Sequence, residues 1–393
     1  MKYSRLAAIV LALVLMIMPV DTAQAAQSAS KQYTTVSKAA DLARTKVVKH
    51  AKSVSAYIKS TSSDVEAVFE DFLHELIKET PNSDEGDYMR WDINREYPSY
   101  TCKTEKKGNT IYYNYHFKIE YLYFTTSEQK NQVDNRVREI IAGFNFTSET
   151  TDYDKIKTIY DYVCQNVRYA DNVNNDIVYT SWSALFNQEA VCQGYAQLLY
   201  KMLKEVGISN RVVPGYGKST DVMHGWNIVK LGDYYYNIDA TWDAELAAAG
   251  KEYEYFLKGD NFRYHTRLDD YTTSEFYARY PMAANDYGAE TNELSYSSKR
   301  AAFNVIKPKF KSVTRKKLKL VKVADAIKYQ IKYSTTKKFK QGTKTVSTPK
   351  TAYNFKNLKK KNKYYVKFRA YTFIDGKKVY TQWSKTKTIK KKK

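Results

Sequence analysis

Cysteine is scarce: Cys102, Cys164 and Cys192 are the only three in 393 residues. That is too few for a disulfide scaffold, and an odd number leaves at least one thiol free or paired between chains. His50, His74, His116 and His265 are scattered, with no Cys or carboxylate at metal-ligand spacing, which predicts no structural zinc and no metal site. There is no Gly-rich phosphate loop, so neither a nucleotide nor any other cofactor is expected. Long apolar runs are confined to the extreme N-terminus, and elsewhere Lys, Tyr or Asp breaks each one, which excludes an internal membrane span. With 43% hydrophobic, 27% charged and 15% aromatic residues, 14 Gly and 7 Pro, the composition is that of a folded protein. Its length predicts two or three domains.

The C-terminal quarter lacks acids. Residues 301–393 hold 30 Lys or Arg against Asp325 and Asp375, a net charge of +28, whereas residues 1–300 hold 34 basic and 40 acidic side chains. A mildly acidic body thus carries a strongly basic module, which invites a polyanionic partner. Residues 1–25 read as a secretory signal: Lys2 and Arg5 precede the apolar Leu6 to Val20, and Ala23-Gln24-Ala25 is a small-x-small cleavage site. Export argues against nucleic acid as that partner and predicts no transmembrane segment after cleavage.

Helical spacing runs through Val65, Val68, Phe69, Phe72, Leu73, Leu76 and Ile77, with Ser63 and Glu66 placed as a capping box and Pro81-Asn82-Ser83 ending the run. From Ile111 to Tyr123 every odd position is apolar or aromatic, the pattern of a strand with one buried face. Further helices are expected over Val133 to Phe144, Ile156 to Val167 and Tyr195 to Val206, the last closed by Gly207. Arg211 to Val213, His224 to Leu231 and Tyr234 to Thr241 read as strands. Beyond about Ala301, alternating Lys-rich segments such as Ile327 to Tyr333 and Tyr364 to Tyr371 fit a small β-sandwich. The fold class is α+β, divided into residues 1–25 (signal), 26–149 (an N-terminal α+β region), 150–295 (the core) and 301–393 (the basic sandwich).

Cys192 stands at the start of a helix, where the dipole and unpaired N–H groups stabilise a thiolate and can hold an oxyanion. Taken alone it also fits a small buried hydrophobe. If Gly232-Asp233 is a type II′ turn, Leu231 faces Tyr234, Trp226 faces Asp239 and His224 faces Thr241. His224 and Asp239 are then diagonal neighbours on one sheet face, roughly 7 to 8 Å apart at the backbone. Cys192 as nucleophile, His224 as base and Asp239 as orienting acid make a working order for thiol catalysis. Trp182 and Gln193 are candidates to assist an oxyanion hole. Cys164 beside Val163 and Val167 reads as a buried core thiol, while Cys102 follows a turn-like Tyr-Pro-Ser-Tyr-Thr run.

Val191-Cys192-Gln193-Gly194-Tyr195-Ala196, His224-Gly225-Trp226-Asn227-Ile228-Val229-Lys230 and Tyr236-Asn237-Ile238-Asp239-Ala240-Thr241-Trp242-Asp243 resemble the three core motifs of the bacterial transglutaminase-like superfamily. The resemblance covers about Thr150 to Tyr280 and includes Ile159-Tyr160-Asp161-Tyr162-Val163. It implies a papain-like cysteine-nucleophile fold with Cys192, His224 and Asp239 as its triad. Gly225 departs from the Ala of many members. Because the superfamily includes acyltransferases, peptidases and members without known activity, it implies the site more than the reaction.

The C-terminal segment is similar to fibronectin type III modules of secreted bacterial proteins, through Tyr329 to Ser334, Asn357-Leu358-Lys359, Tyr364 to Tyr371 and Gln382-Trp383-Ser384-Lys385. Its charge suggests an anionic cell-wall polymer or glycan as partner, or simply a solvated face. Together these features point to a secreted, cell-wall-associated enzyme acting on amides of extracellular protein or peptide through a Cys192 thioester, by acyl transfer or hydrolysis. The alternative is a non-catalytic surface binding or adhesion protein that retains the fold.

Overall fold

A computed structural model describes residues 18–19, 32–217, 223–340, 342–355 and 358–391. Apart from Met18 and Pro19, the expected signal lies outside the described residues. The chain forms two compact units, one of Met1–Gly232, Tyr236–Lys258 and Phe262–Leu268, the other of Asp233–Tyr235, Gly259–Asn261 and Asp269–Lys393. No described helix is long and apolar enough to cross a membrane.

The first unit opens with a sheet in the order β1-β3-β4-β2. Its strands are β1 (Met18–Pro19), β2 (Ser53–Ser60), β3 (Ile93–Lys107) and β4 (Thr110–Tyr123). The odd-position stripe of β4 buries Tyr115, Phe117, Ile119 and Tyr121. Helices α1 (Val36–Val47) and α2 (Val65–Leu76) cover that face, with Phe69 and Phe72 stacked near Phe117. The cap of α2 is Asp64, whose side chain accepts from Ala67 N, rather than the expected Ser63 box. Cys102 lies within β3, opposite Tyr115, and not after a turn: Pro98 is accommodated in the long β3–β4 ladder.

Next come α3 (Asp87–Asp92), α4 (Ser127–Gly143), α5 (Asp152–Asn166), the short strand β5 (Arg168–Tyr169), α6 (Ser181–Phe186), β6 (Glu189–Ala190) and α7 (Cys192–Glu205). A second sheet follows in the order β10-β7-β8-β9, from β7 (Asn210–Gly217), β8 (Met223–Leu231), β9 (Tyr234–Ile238) and β10 (His265–Arg267). The first twelve residues of α7 are all buried, from Cys192 to Leu203, so its polar side chains need partners inside the protein. Gln193 donates to Trp91 O (2.9 Å) and Lys201 pairs with Asp84 and with Asp134 (2.7 Å). Arg211 grips the fully buried Asp87 through Nε (2.7 Å) and a second nitrogen (2.9 Å). The segment around α3 is thereby bound to the helix that begins with Cys192. Such buried ion pairs contribute little net stability, but removing one partner strands the other in a dry environment.

The last helix of this unit, α8 (Ala240–Ala248), corrects the expectation of a strand as far as Thr241: β9 stops at Ile238, and Asp239 caps a helix whose alanines favour that state. The second unit contains α9 (Ser274–Arg279), α10 (Tyr296–Asn304) and two sheets. One sheet orders β11 (Phe310–Val313), β12 (Lys317–Leu320) and β15 (Ala352–Asn354). The other orders β14 (Lys344–Thr348), β13 (Lys328–Ser334), β16 (Tyr364–Ile374) and β17 (Lys377–Tyr380), with β18 (Lys387–Ile389) on the far end of β16. Leu318, Leu320, Ile331, Val366 and Phe368 close one core between them, the arrangement of a β-sandwich.

Candidate active site

The backbone leading to Cys192 is anchored on both sides. Ala190 pairs with Tyr169 across β5 and β6, and Val191 N donates to Val178 O at 2.9 Å. Val191 is the N-cap of α7 and supplies no side-chain cap. The N–H groups of Cys192 and Gln193 therefore lie among the first of the helix, without intrahelical acceptors and at the positive end of its dipole. A Cβ on Gly194 would stand 2.8 Å from Ala190 Cβ and 2.9 Å from Thr180 O, so glycine lets this turn press close to its neighbours.

His224 on β8 and Asp239 at the start of α8 meet as the sequence suggested. Their contact is 2.7 Å, from Nε2 to Oδ2, with both side chains buried. The other oxygen, Oδ1, accepts from the N–H groups of Thr241 (3.0 Å) and Trp242 (3.4 Å), which fixes the carboxylate as helix cap and imidazole partner at once. Cys192, buried at the first position of α7, is among the groups that act on His224. Burial opposes charge on His224, but attraction and hydrogen bonding from Asp239, followed by Cys192, outweigh it and raise its pKa to about 10. For Asp239, burial is likewise outweighed by the two histidines, and its carboxyl is held well below the usual range.

The second histidine is His265, which the sequence left isolated. From β10 its Nε2 lies 3.1 Å from the same Asp239 Oδ2, while Nδ1 lies 2.8 Å from Arg263 O. Both contacts are to oxygen acceptors, the Asp239 carboxylate and the Arg263 carbonyl. Phe262 stacks on His265 at 3.8 Å between centroids, Trp242 stacks on His224 at 4.8 Å, and Trp226 meets His265 edge-on. Asp239 is thus a shared anion between two imidazoles in an aromatic enclosure.

Around this centre, fully buried Asp243 accepts from Glu254 N (2.8 Å) and Tyr255 N (3.0 Å) and meets Tyr160 O–H at 2.6 Å. Burial raises its carboxyl to about 6 against those hydrogen bonds. Cys164 is buried, with Sγ 3.6 Å from Ala240 O, and burial pushes its thiol far up, so it is a core residue as expected. Trp182 Nε1 already donates its one hydrogen to Gln132 at 2.7 Å, while Gln193 Nε2 commits one of its two to Trp91 O. Backbone N–H groups at the start of α7 are further donors for an oxyanion. All three cysteines are free.

His224, Asp239 and His265 offer donor atoms within 4.8 Å of one another, contrary to the expectation that His265 has no carboxylate nearby. Those atoms already contact each other directly at 2.7 and 3.1 Å. An ion could enter only by displacing these hydrogen bonds.

A cysteine at a helix N-terminus, a buried His–Asp pair and a mixed helix and sheet scaffold define a transglutaminase-like fold, and residues 142–240 match the Transglutaminase-like superfamily. Cys192, His224 and Asp239 all fall within that match; His265 lies beyond it. Human Kyphoscoliosis peptidase is 25% identical over 138 residues, which cover 32% of this chain and 20% of that protein. Its Mus musculus counterpart is 27% identical over 109 residues, covering 24% of this chain and 16% of that protein. This chain therefore spans a fifth or less of the length of these relatives. A solved TGase structure aligns with 44% of this chain and 57% of its own, at 16% identity and a TM-score of 0.26.

Proposed function

We propose that this protein is an exported cysteine enzyme that opens amide bonds of extracellular or cell-wall protein or peptide through a thioester on Cys192. The observation that carries this reading is the buried His224–Asp239 pair at 2.7 Å, together with the buried Cys192 that opens α7 and acts on His224. Export rests on Lys2, Arg5, the apolar stretch to Val20 and the Ala23-Gln24-Ala25 site.

His224 takes the proton of the Cys192 thiol and becomes an imidazolium held by Asp239. Cys192 Sγ attacks the amide carbon, and the oxyanion that forms is met by the N–H groups at the start of α7. Collapse breaks the carbon–nitrogen bond; His224 gives its proton to the leaving nitrogen, and a thioester remains. Water or a primary amine then loses a proton to His224, attacks the thioester and releases the thiolate. Water completes hydrolysis, whereas a Lys amine completes transfer.

Incubating the mature protein with a glutamine-rich unfolded protein and a fluorescent primary amine separates these outcomes. Fluorescence incorporated into the protein shows transfer, and ammonia or new amino termini without incorporation show hydrolysis. Cys192→Ala abolishes either. Turnover that survives in Cys192→Ala overturns the assignment.

A further inference from the structure

The sheet containing β13 and β16 turns one face to the sandwich core and the other away from it. Along β13, Tyr329, Ile331 and Tyr333 are buried while Gln330 and Lys332 alternate with them; along β16, Val366, Phe368 and Ala370 are buried while Lys367 and Arg369 alternate. The antiparallel register sets Lys332 directly opposite Lys367 and Gln330 opposite Arg369. Like charges directly opposite are an unfavourable cross-strand pair. Here three cations are gathered around one ring: Lys332 Nζ lies 5.1 Å, Lys367 Nζ 4.9 Å and the Arg369 guanidinium 4.6 Å from the centre of Trp383.

Among the described residues no acid pairs with them. Residues 301–393 contain only Asp325 and Asp375, and both serve turns at positive φ (60° and 46°). Among the described residues no ion pair joins an acid to Lys332, Lys367 or Arg369, and the side-chain partner of Arg369 is the neutral Gln330 (2.9 Å). Burial, then Lys332 and Arg369, lower the Lys367 pKa, and burial lowers that of Arg369. The cations also cover the aromatic rings: Arg369 lies 3.7 Å over Tyr380 and Lys367 4.6 Å over Phe339. The stacking surfaces on which a base or a neutral sugar would rest are therefore taken.

We propose that this face is a binding site for a linear, base-free polyanion carrying one phosphate in each repeat. Facing residues stand roughly 5 Å apart and alternate residues of one strand roughly 7 Å apart. Successive phosphates at that spacing would each meet one of the three cations, and Arg369 can take its phosphate with two nitrogens. The inference concerns recognition alone and does not depend on the thiol chemistry.

The test uses full-length protein, end-labelled inorganic polyphosphate as probe, fluorescence anisotropy and a salt series. Lys332→Gln/Lys367→Gln is expected to weaken binding at least tenfold and to reduce the slope of log affinity against log salt by about 1.4, at ~0.7 per phosphate contact. Its melting temperature should not fall, because a repulsion has been removed. Lys332→Gln alone should weaken binding about threefold and serves as the second variant should the double change disturb folding. The charge-matched Lys390→Gln/Lys391→Gln should lose less than threefold. Equal losses in the two double variants would reduce the site to diffuse attraction and overturn the proposal. So would an absence of polyphosphate binding at low salt, or tighter binding of oligo(dT) of equal charge, which would mean stacked bases.

Discussion

Replacing Asp239 by Asn removes the charge and, with the side-chain oxygen kept on the helix N–H groups, turns the acceptor that faces His224 and His265 into an amide donor. Asn is as good an N-cap as Asp, so α8 should keep its start, and its side-chain oxygen can still accept from Thr241 and Trp242. What changes is His224. Its pKa of about 10 stands some 3.5 units above the ordinary value of 6.5, a preference for the imidazolium of about 5 kcal/mol. A carboxylate 2.7 Å away supplies about 6 kcal/mol at an effective dielectric of ~20. That suffices to raise the group and to offset part of its burial. Without the charge, burial is opposed only by Cys192, and His224 in Asp239→Asn should titrate well below 9. Imidazole NMR of the wild type and the variant measures both values, with thermal melts confirming that each is folded. A wild-type His224 titrating near 6.5, or a variant still titrating above 9, would refute the reasoning.

Removing the second histidine should act in the opposite direction. His265→Gln takes away one of the two imidazoles that share Asp239 and leaves the carboxylate to His224, which should keep its proton to higher pH. A downward shift in the same NMR titration contradicts the shared-anion arrangement. Asp243 predicts a stability effect: with its folded pKa raised to about 6, the folded state favours the protonated acid. Stability should therefore fall by about 3 kcal/mol as pH rises from about 4 to 6. Urea titrations should show this slope flattened in Asp243→Asn, and an unchanged slope would assign it elsewhere. Two glycines near the site should differ in the same assay. Gly194→Ala meets atoms at 2.8 to 3.0 Å and should cost about 1–3 kcal/mol, while Gly225→Ala enters open space and should stay within about 0.5 kcal/mol. Equal costs would contradict the packing described for the first turn of α7.

What sequence showed about the site was its local part. Cys192 ahead of an apolar helical stripe, and His224 and Asp239 flanking a short turn, are relations within one or two elements, and period and parity expose them. Gly232 does adopt the positive φ (62°) that the turn requires. His265 escaped notice because it reaches Asp239 from β10, a three-residue strand without periodicity, and only the sheet order brings it next to β7. The strand expected to reach Thr241 ended early because capping chemistry at Asp239 prevailed over alternation. Likewise α1 and β2 were not anticipated: α1 buries Ala39, Ala40 and Ala43, residues too small to mark a stripe, and β2 shows only Val54, Ala56 and Ile58 between polar neighbours. In the basic module, alternation revealed the sandwich. The gathering of Lys332, Lys367 and Arg369 on Trp383 needed the register.

Activation of Cys192 by His224 is the central claim, and the chain carries its own controls. Iodoacetamide labelling across pH, followed peptide by peptide in the wild type and in folded His224→Ala, compares Cys192 with Cys102 and Cys164, whose thiols burial raises. Cys192 should react faster than Cys102 and Cys164 across the pH range, and the advantage should vanish in His224→Ala. Cys192 labelling slowly, with an ordinary thiol profile that His224→Ala leaves unchanged, would contradict the account.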